Sequence, residues 1–195
     1  MIKNYKNSEL DIREDIIFES SINSEVMGRW ETPLMERYSE VLNSNKKDIR
    51  VLEIGYGLGI FFKKTLSYDI KNYTIVELRD EIIEMIPTGD NIDIIRGDWY
   101  ENIDKILEKT YDVIFFDTHL DYNRHKFREL VVDKCLDKNG SFGYFTMGDM
   151  DVFNYNEDIN MEELTLKTSD DSDYMGNTIN MYMSYIHYPL KNKKK

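Results

Sequence analysis

The chain has little cysteine, little basic charge and no long apolar run, and each shortage excludes something. A single cysteine, Cys135, cannot build an internal disulfide framework. The longest apolar runs, such as Val113-Ile114-Phe115-Phe116, fall far short of the ~20 residues that span a bilayer, so no membrane partner is expected. The first residues, Met1-Ile2-Lys3-Asn4-Tyr5, hold no signal-peptide core. A cytoplasmic location is the resulting expectation. Lys and Arg number 25 against 37 Asp and Glu, for a formal net charge of −12. No nucleic-acid partner is expected, because such binding relies on clustered Lys and Arg. The lysines at 191, 193, 194 and 195 read as a solvated end. An acidic surplus can instead favour a cationic substrate through its field. Internal repeats are lacking, and no Cys/His set has metal-ligand spacing.

What is present is an ordinary globular balance: 195 residues, 41% hydrophobic and 13% aromatic, enough for one domain with a buried core. Residues 1 to about 20 read as a polar-to-amphipathic lead-in. Leu34, Met35, Tyr38, Val41 and Leu42 recur at helical spacing, which predicts a helix over Thr32 to Asn43 with Thr32 as N-cap and Pro33 in the first helical position. From residue 49 strands and helices alternate. Strands are expected at 49–54, 73–77, 92–95, 111–116 and 141–147, with helices at 58–66, 79–85, 102–108 and 124–136 between them. This order predicts an α/β, doubly wound, mostly parallel sheet with helices on both faces. Two late strands, 162–168 and 179–187, suggest a terminal antiparallel hairpin that brings the sheet to seven strands.

The strongest local signal is Val51-Leu52-Glu53-Ile54-Gly55-Tyr56-Gly57-Leu58-Gly59, a strand feeding a glycine turn that opens a helix. Glycines there permit a tight turn and close backbone approach by a ligand. A dinucleotide fold wants G-x-G-x-x-G, but counting from Gly55 the third position holds Ile60. The spacing G-x-G-x-G suits class I S-adenosylmethionine-dependent methyltransferases, as does Glu53, an acid placed to hold the methionine amino group. Glu77 ends the second strand, where a carboxylate can accept ribose hydroxyls. Asp98 and Trp99 follow the third, placed to meet an adenine amine and to offer it an apolar face. Core packing is an equal reading for Trp99.

Taken with these strand ends, the segment Val26-Met27-Gly28-Arg29-Trp30-Glu31-Thr32-Pro33-Leu34-Met35 resembles guanidinoacetate N-methyltransferase and its arginine-methylating relatives. Gly97-x-Trp99, Phe116-Asp117-Thr118, His125-x-Phe127 and Tyr188-Pro189-Leu190 extend the similarity. The resemblance implies a Rossmann-like methyltransferase fold over residues 1–195. Residues 1–48 would form a lid and a substrate- and cofactor-contacting helix, 49–147 the cofactor core, and 148–195 the hairpin. It implies S-adenosylmethionine as cofactor, contacted by Met27, Met35, Tyr56, Gly57 and the following turn to Gly59, Glu77, Leu78 and Trp99. It implies a guanidino acceptor gripped by Glu31, with Asp117 as catalytic acid-base group and Met147 and Gly148 at the acceptor's far end.

Physical chemistry agrees with two of these roles. Carboxylates bind a planar guanidinium bidentately, and a guanidinium with its high pKa must lose a proton as its nitrogen attacks. Taken alone, Asp117 reads sooner as a helix cap than as a catalytic group, and Glu31 as an acid offsetting a helix dipole. The stretch between the fifth strand and the hairpin, 148–161, looks abbreviated. The acceptor stays open among guanidinoacetate, arginine, another guanidine, an arginine side chain in a peptide and a non-guanidine. A non-catalytic binding module is the lesser alternative.

Overall fold

In the computed structural model, which describes residues 5–119, 123–146 and 159–188, the lead-in is not irregular. It forms three short antiparallel strands, β1 (Leu10–Ile12), β2 (Ile16–Glu19) and β3 (Ser24–Gly28). Strands this brief show too few alternations to register as a period-two pattern. Ile16 and Ile17 are adjacent and both buried, and the register of β2 against β3 shifts just after them.

The helix α1 (Thr32–Asn43) occupies the expected span. Its start differs. A 3-10 turn over Arg29–Glu31 leads into it, so Thr32 is already helical and its hydroxyl donates to the Arg29 carbonyl at 2.6 Å. Glu31 holds the cap position instead, and Pro33 falls within the first two helical residues. The buried Tyr38 hydroxyl donates to the Tyr144 carbonyl at 2.6 Å and accepts the Ser184 N–H at 3.1 Å. A buried phenol satisfied on both counts costs little, and it fixes α1, with Glu31 at its head and Met35 one turn on, against the main sheet.

That sheet contains β4 (Ile49–Ile54), β5 (Ile70–Glu77), β6 (Ile92–Arg96), β7 (Tyr111–Phe116), β8 (Leu136–Thr146), β9 (Asn160–Lys167) and β10 (Thr178–His187). Its order is β6-β5-β4-β7-β8-β10-β9. The first five run parallel, and β10 lies antiparallel to both β8 and β9. Between them run α2 (Ile60–Thr65), α3 (Asp80–Ile83), α4 (Ile103–Leu107) and α5 (residues 124–135), whose middle, Arg128–Val132, is π-helical. The fifth parallel strand starts at Leu136 rather than at 141, because α5 passes directly into it and Leu136 already pairs with Tyr111. Asn139-Gly140 therefore lie in a strand and do not stop the helix.

Alternate residues of the central strands feed two cores. Val51 and Phe115 pack with Tyr38, Leu42 and Phe61 on one face, where Phe61 stacks on Phe115 at 4.2 Å. Leu52, Ile54, Ile114 and Phe116 pack with Trp99, Ile106, Phe127 and Val131 on the other. Strand order reverses between β4 and β7. The crevice beyond their carboxyl ends is where open α/β sheets bind ligands. Met147, Gly148, Pro189, Leu190 and most of the abbreviated stretch lie outside the described residues.

Candidate active site

The glycine turn after β4 is built by three left-handed residues, Gly55, Gly57 and Gly59, with φ of 85°, 54° and 68°. Any side chain would be strained there, and space is lacking too. A Cβ on Gly55 would overlap the Asp117 carbonyl oxygen, and one on Gly57 would overlap Met27 Sδ. The first glycine thus lets the ends of β4 and β7 meet. The second lets Met27 of β3 settle on the loop, where its sulfur accepts the Leu58 N–H at 3.2 Å. Gly59 starts α2 against the Tyr56 ring. It does not border the cleft beyond the strand ends.

Beyond these strand ends lies a cleft of about 790 Å³. Of the residues expected at a cofactor, Met27, Met35, Glu53, Gly55, Tyr56, Gly57, Glu77, Leu78, Asp98 and Trp99 all border it. Glu53 is 1% exposed and accepts the Tyr73 hydroxyl at 2.5 Å. Burial pushes its carboxyl well above the usual range. Glu77 accepts three backbone N–H groups, from Tyr56 at 2.8 Å, Leu78 at 2.7 Å and Arg79 at 2.9 Å. A carboxylate offers about four acceptor sites, so Glu77 organises the loop and keeps roughly one site for a ligand hydroxyl. Asp98 uses one oxygen on the Tyr100 N–H at 2.8 Å. Trp99 stands edge-on to Phe127 at 5.0 Å, so its ring belongs to the core as well as to the cleft wall.

A second compartment of about 780 Å³ holds Glu31 and Asp117 and shares Val26, Asp117, Thr118 and His119 with the first. Glu31 accepts the Gly28 N–H at 2.9 Å. Burial, then the like charge of Asp117, pushes its carboxyl up to about 8. Burial pushes Asp117 up to about 7. Each carboxyl therefore holds its proton more tightly than an exposed acid does.

Sequence reasoning missed much of the surrounding wall. Glu25 accepts the Trp30 indole N–H at 2.6 Å and the Asp173 N–H at 3.0 Å, while its own N–H donates to Asp173 Oδ2 at 2.9 Å. This clamp ties β3 to the turn between β9 and β10 and sets Trp30 edge-on to Tyr174 at 5.6 Å. A pair so distant in sequence gives no local signal. Tyr5 also borders the cleft. Arg79, only 2% exposed, holds the lead-in there through the Tyr5 and Ser8 carbonyls. His119 lies 3.3 Å from Glu19, and burial pushes its imidazole below its usual value. His125 is exposed on α5, away from both compartments. Among the described residues no group of three His, Cys, Asp or Glu is arranged for a metal, and no helix is long and apolar enough to cross a membrane.

A model of the guanidinoacetate N-methyltransferase family matches residues 4–180. Protein arginine N-methyltransferase 2 of Gibberella zeae is 27% identical over 162 residues, covering 72% of this chain and 36% of that protein. The protein of the same name from Neurospora crassa is 31% identical over 140 residues, covering 62% and 33%. The chain thus spans about a third of the length of these relatives. Among solved structures, the N-methyltransferase NodS of Bradyrhizobium japonicum superposes with a TM-score of 0.59 at 15% identity, covering 83% of this chain and 97% of that one. That likeness concerns the fold.

Proposed function

Because the chain belongs to the guanidinoacetate N-methyltransferase family, we propose that it transfers a methyl group from S-adenosylmethionine to a guanidino nitrogen. The observation that carries this reading is the shared wall. A glycine-cradled cleft and an acidic compartment meet at Asp117, so a donor in one and a guanidine in the other would face each other there.

The cleft suits the donor. Gly55 and Gly57 let Asp117 and Met27 close on the turn at the cleft's edge, and the buried acid Glu53 matches a methionine ammonium. Tyr56 and Gly57 would hold the methionine portion, Glu77 and Leu78 the ribose, and Asp98 and Trp99 the adenine, with Met27 and Met35 closing over it. Bound there, S-adenosylmethionine supplies an electrophilic methyl on a sulfonium.

The chain's own residues do the rest. Glu31 and Asp117, ionised by the arriving cation, fix the guanidinium plane through charge-assisted hydrogen bonds. As the acceptor nitrogen is methylated, its departing N–H proton would pass to the Asp117 carboxylate. A base with a value near 7 suits that task at neutral pH. Most of the rate comes from holding the nitrogen in line. The names of the two fungal relatives favour a second reading, an arginine side chain in a peptide.

The test is methyl transfer from labelled S-adenosylmethionine to guanidinoacetate, arginine, an arginine peptide and a primary amine of matched length, with the label located by mass spectrometry. Label on a guanidino nitrogen is the expected result. Label on the amine alone, or none anywhere, would overturn the reading.

A further inference from the structure

The acceptor compartment contains more carboxyl groups than a guanidinium needs. Four carboxylates border it, Glu25, Glu31, Asp117 and Asp173, and no Lys or Arg stands among the described residues of its wall. The remaining basic side chain, His119, is held toward its neutral form by burial. Glu31 and Asp117 are matched by the guanidinium and by the sulfonium of the donor. Glu25 and Asp173 then remain, clamped to each other's backbone N–H groups at the edge of the compartment.

What lies beside them points to a particular ligand group. Trp30 and Tyr174 border the same compartment and stand edge to face. The Trp30 indole N–H is committed to Glu25 at 2.6 Å, so the ring has no donor to spare for an anion. An aromatic face next to carboxyl groups that no Lys or Arg of the described wall pairs attracts a cation on two grounds, ring quadrupole and charge, the second in full once Glu25, whose carboxyl burial pushes above the usual range, is ionised. An acceptor carboxylate would meet the same surfaces as repulsion.

We infer that the acceptor is a dication, a guanidinium whose tail carries a second positive charge that settles against Glu25, Asp173 and the Trp30–Tyr174 pair. This inference rests on the guanidine reading above and adds the chemistry of the tail. A free guanidinoalkyl amine and a basic peptide share that chemistry, and the experiment separates them.

The test compares kcat/KM at pH 8.5 and low salt for three acceptors that differ only in their ends: 4-guanidinobutylamine, butylguanidine and 4-guanidinobutanoate. The expected order is cation over neutral over anion, with steps of about tenfold that shrink as salt screens the mouth of the compartment. Arginine amides flanked by Lys or by Glu form the peptide arm. Preference for the Lys-flanked peptide over the free amine assigns the peptide source, and the reverse assigns the metabolite. Asp173→Asn keeps an oxygen for the Glu25 N–H and should cut the cation-to-neutral ratio by about threefold to tenfold. Equal or better turnover of 4-guanidinobutanoate would overturn the inference while leaving the guanidine reading intact, as would a wild-type preference insensitive to salt. Turnover of none of the three and of neither peptide would overturn both.

Discussion

Asp117→Asn should lower kcat by about 10²–10⁴ while S-adenosylmethionine binds within a few-fold of wild type. The lower bound is what loss of a positioned general base costs, and the upper is reached when orientation is lost with it. Asparagine has the size of aspartate and can still accept a hydrogen bond from a guanidinium, but it cannot take the proton. The backbone at this position is fixed independently of the side chain. Asp117 N–H donates to the Ile54 carbonyl at 3.0 Å, and its own carbonyl lies against the bare Cα of Gly55. The variant should therefore fold. Single-turnover kinetics after loading with donor, beside calorimetric titration of the donor, separate the two quantities. A kcat within threefold of wild type would remove Asp117 from the chemistry.

Glu31→Gln should act in opposite directions on activity and on stability. Removing one charged partner from a desolvated ion pair costs about 2–5 kcal/mol, so kcat/KM for a guanidine should fall by at least about thirtyfold. The ligand-free protein should gain stability. In the folded chain Glu31 titrates near 8, because it is buried beside Asp117. In the unfolded chain it has an ordinary value. A group whose value is raised on folding holds its proton more tightly there, so stability falls as pH rises from about 4.5 toward 8 and stays reduced above that. Glutamine carries no charge to desolvate, and its carbonyl still accepts the Gly28 N–H. The gain should be absent near pH 4.5 and reach on the order of 1 kcal/mol above pH 8, roughly 2–4 °C in Tm. Paired thermal melts at pH 5 and pH 8.5 read it directly. A variant destabilised at both pH values would mean that Glu31 is structural.

The alternating core was legible because its strands are long enough, or apolar enough, to announce themselves. Tyr111 to Phe116 is nearly all apolar and proves to be the buried centre of the sheet. The span of α1 was readable from its apolar spacing, while its cap was not, since the 3-10 turn at Arg29–Glu31 places Thr32 inside the helix. Glu53, Glu77, Asp98 and Asp117 stand at successive strand ends and border one cleft, because parallel strands deliver their carboxyl ends to the same edge. Partners were harder to foresee. Whether Glu77 faces a ligand or three backbone N–H groups depends on a loop conformation that spacing does not encode. The three strands of the lead-in were hidden by brevity. The Glu25–Asp173 clamp was hidden by a sequence separation of 148.

The central claim is that Glu31 and Asp117 form a receptor whose protons give way to a guanidinium. Calorimetric titration of a guanidine into the protein saturated with S-adenosylhomocysteine, repeated in buffers of different ionisation enthalpy, counts the protons released. With the two groups near 8 and 7 before binding and ionised after it, release of about 1.4 protons per guanidine is predicted at pH 7, falling toward zero by about pH 9.5. Guanidine binding with no proton released at any pH would contradict the account.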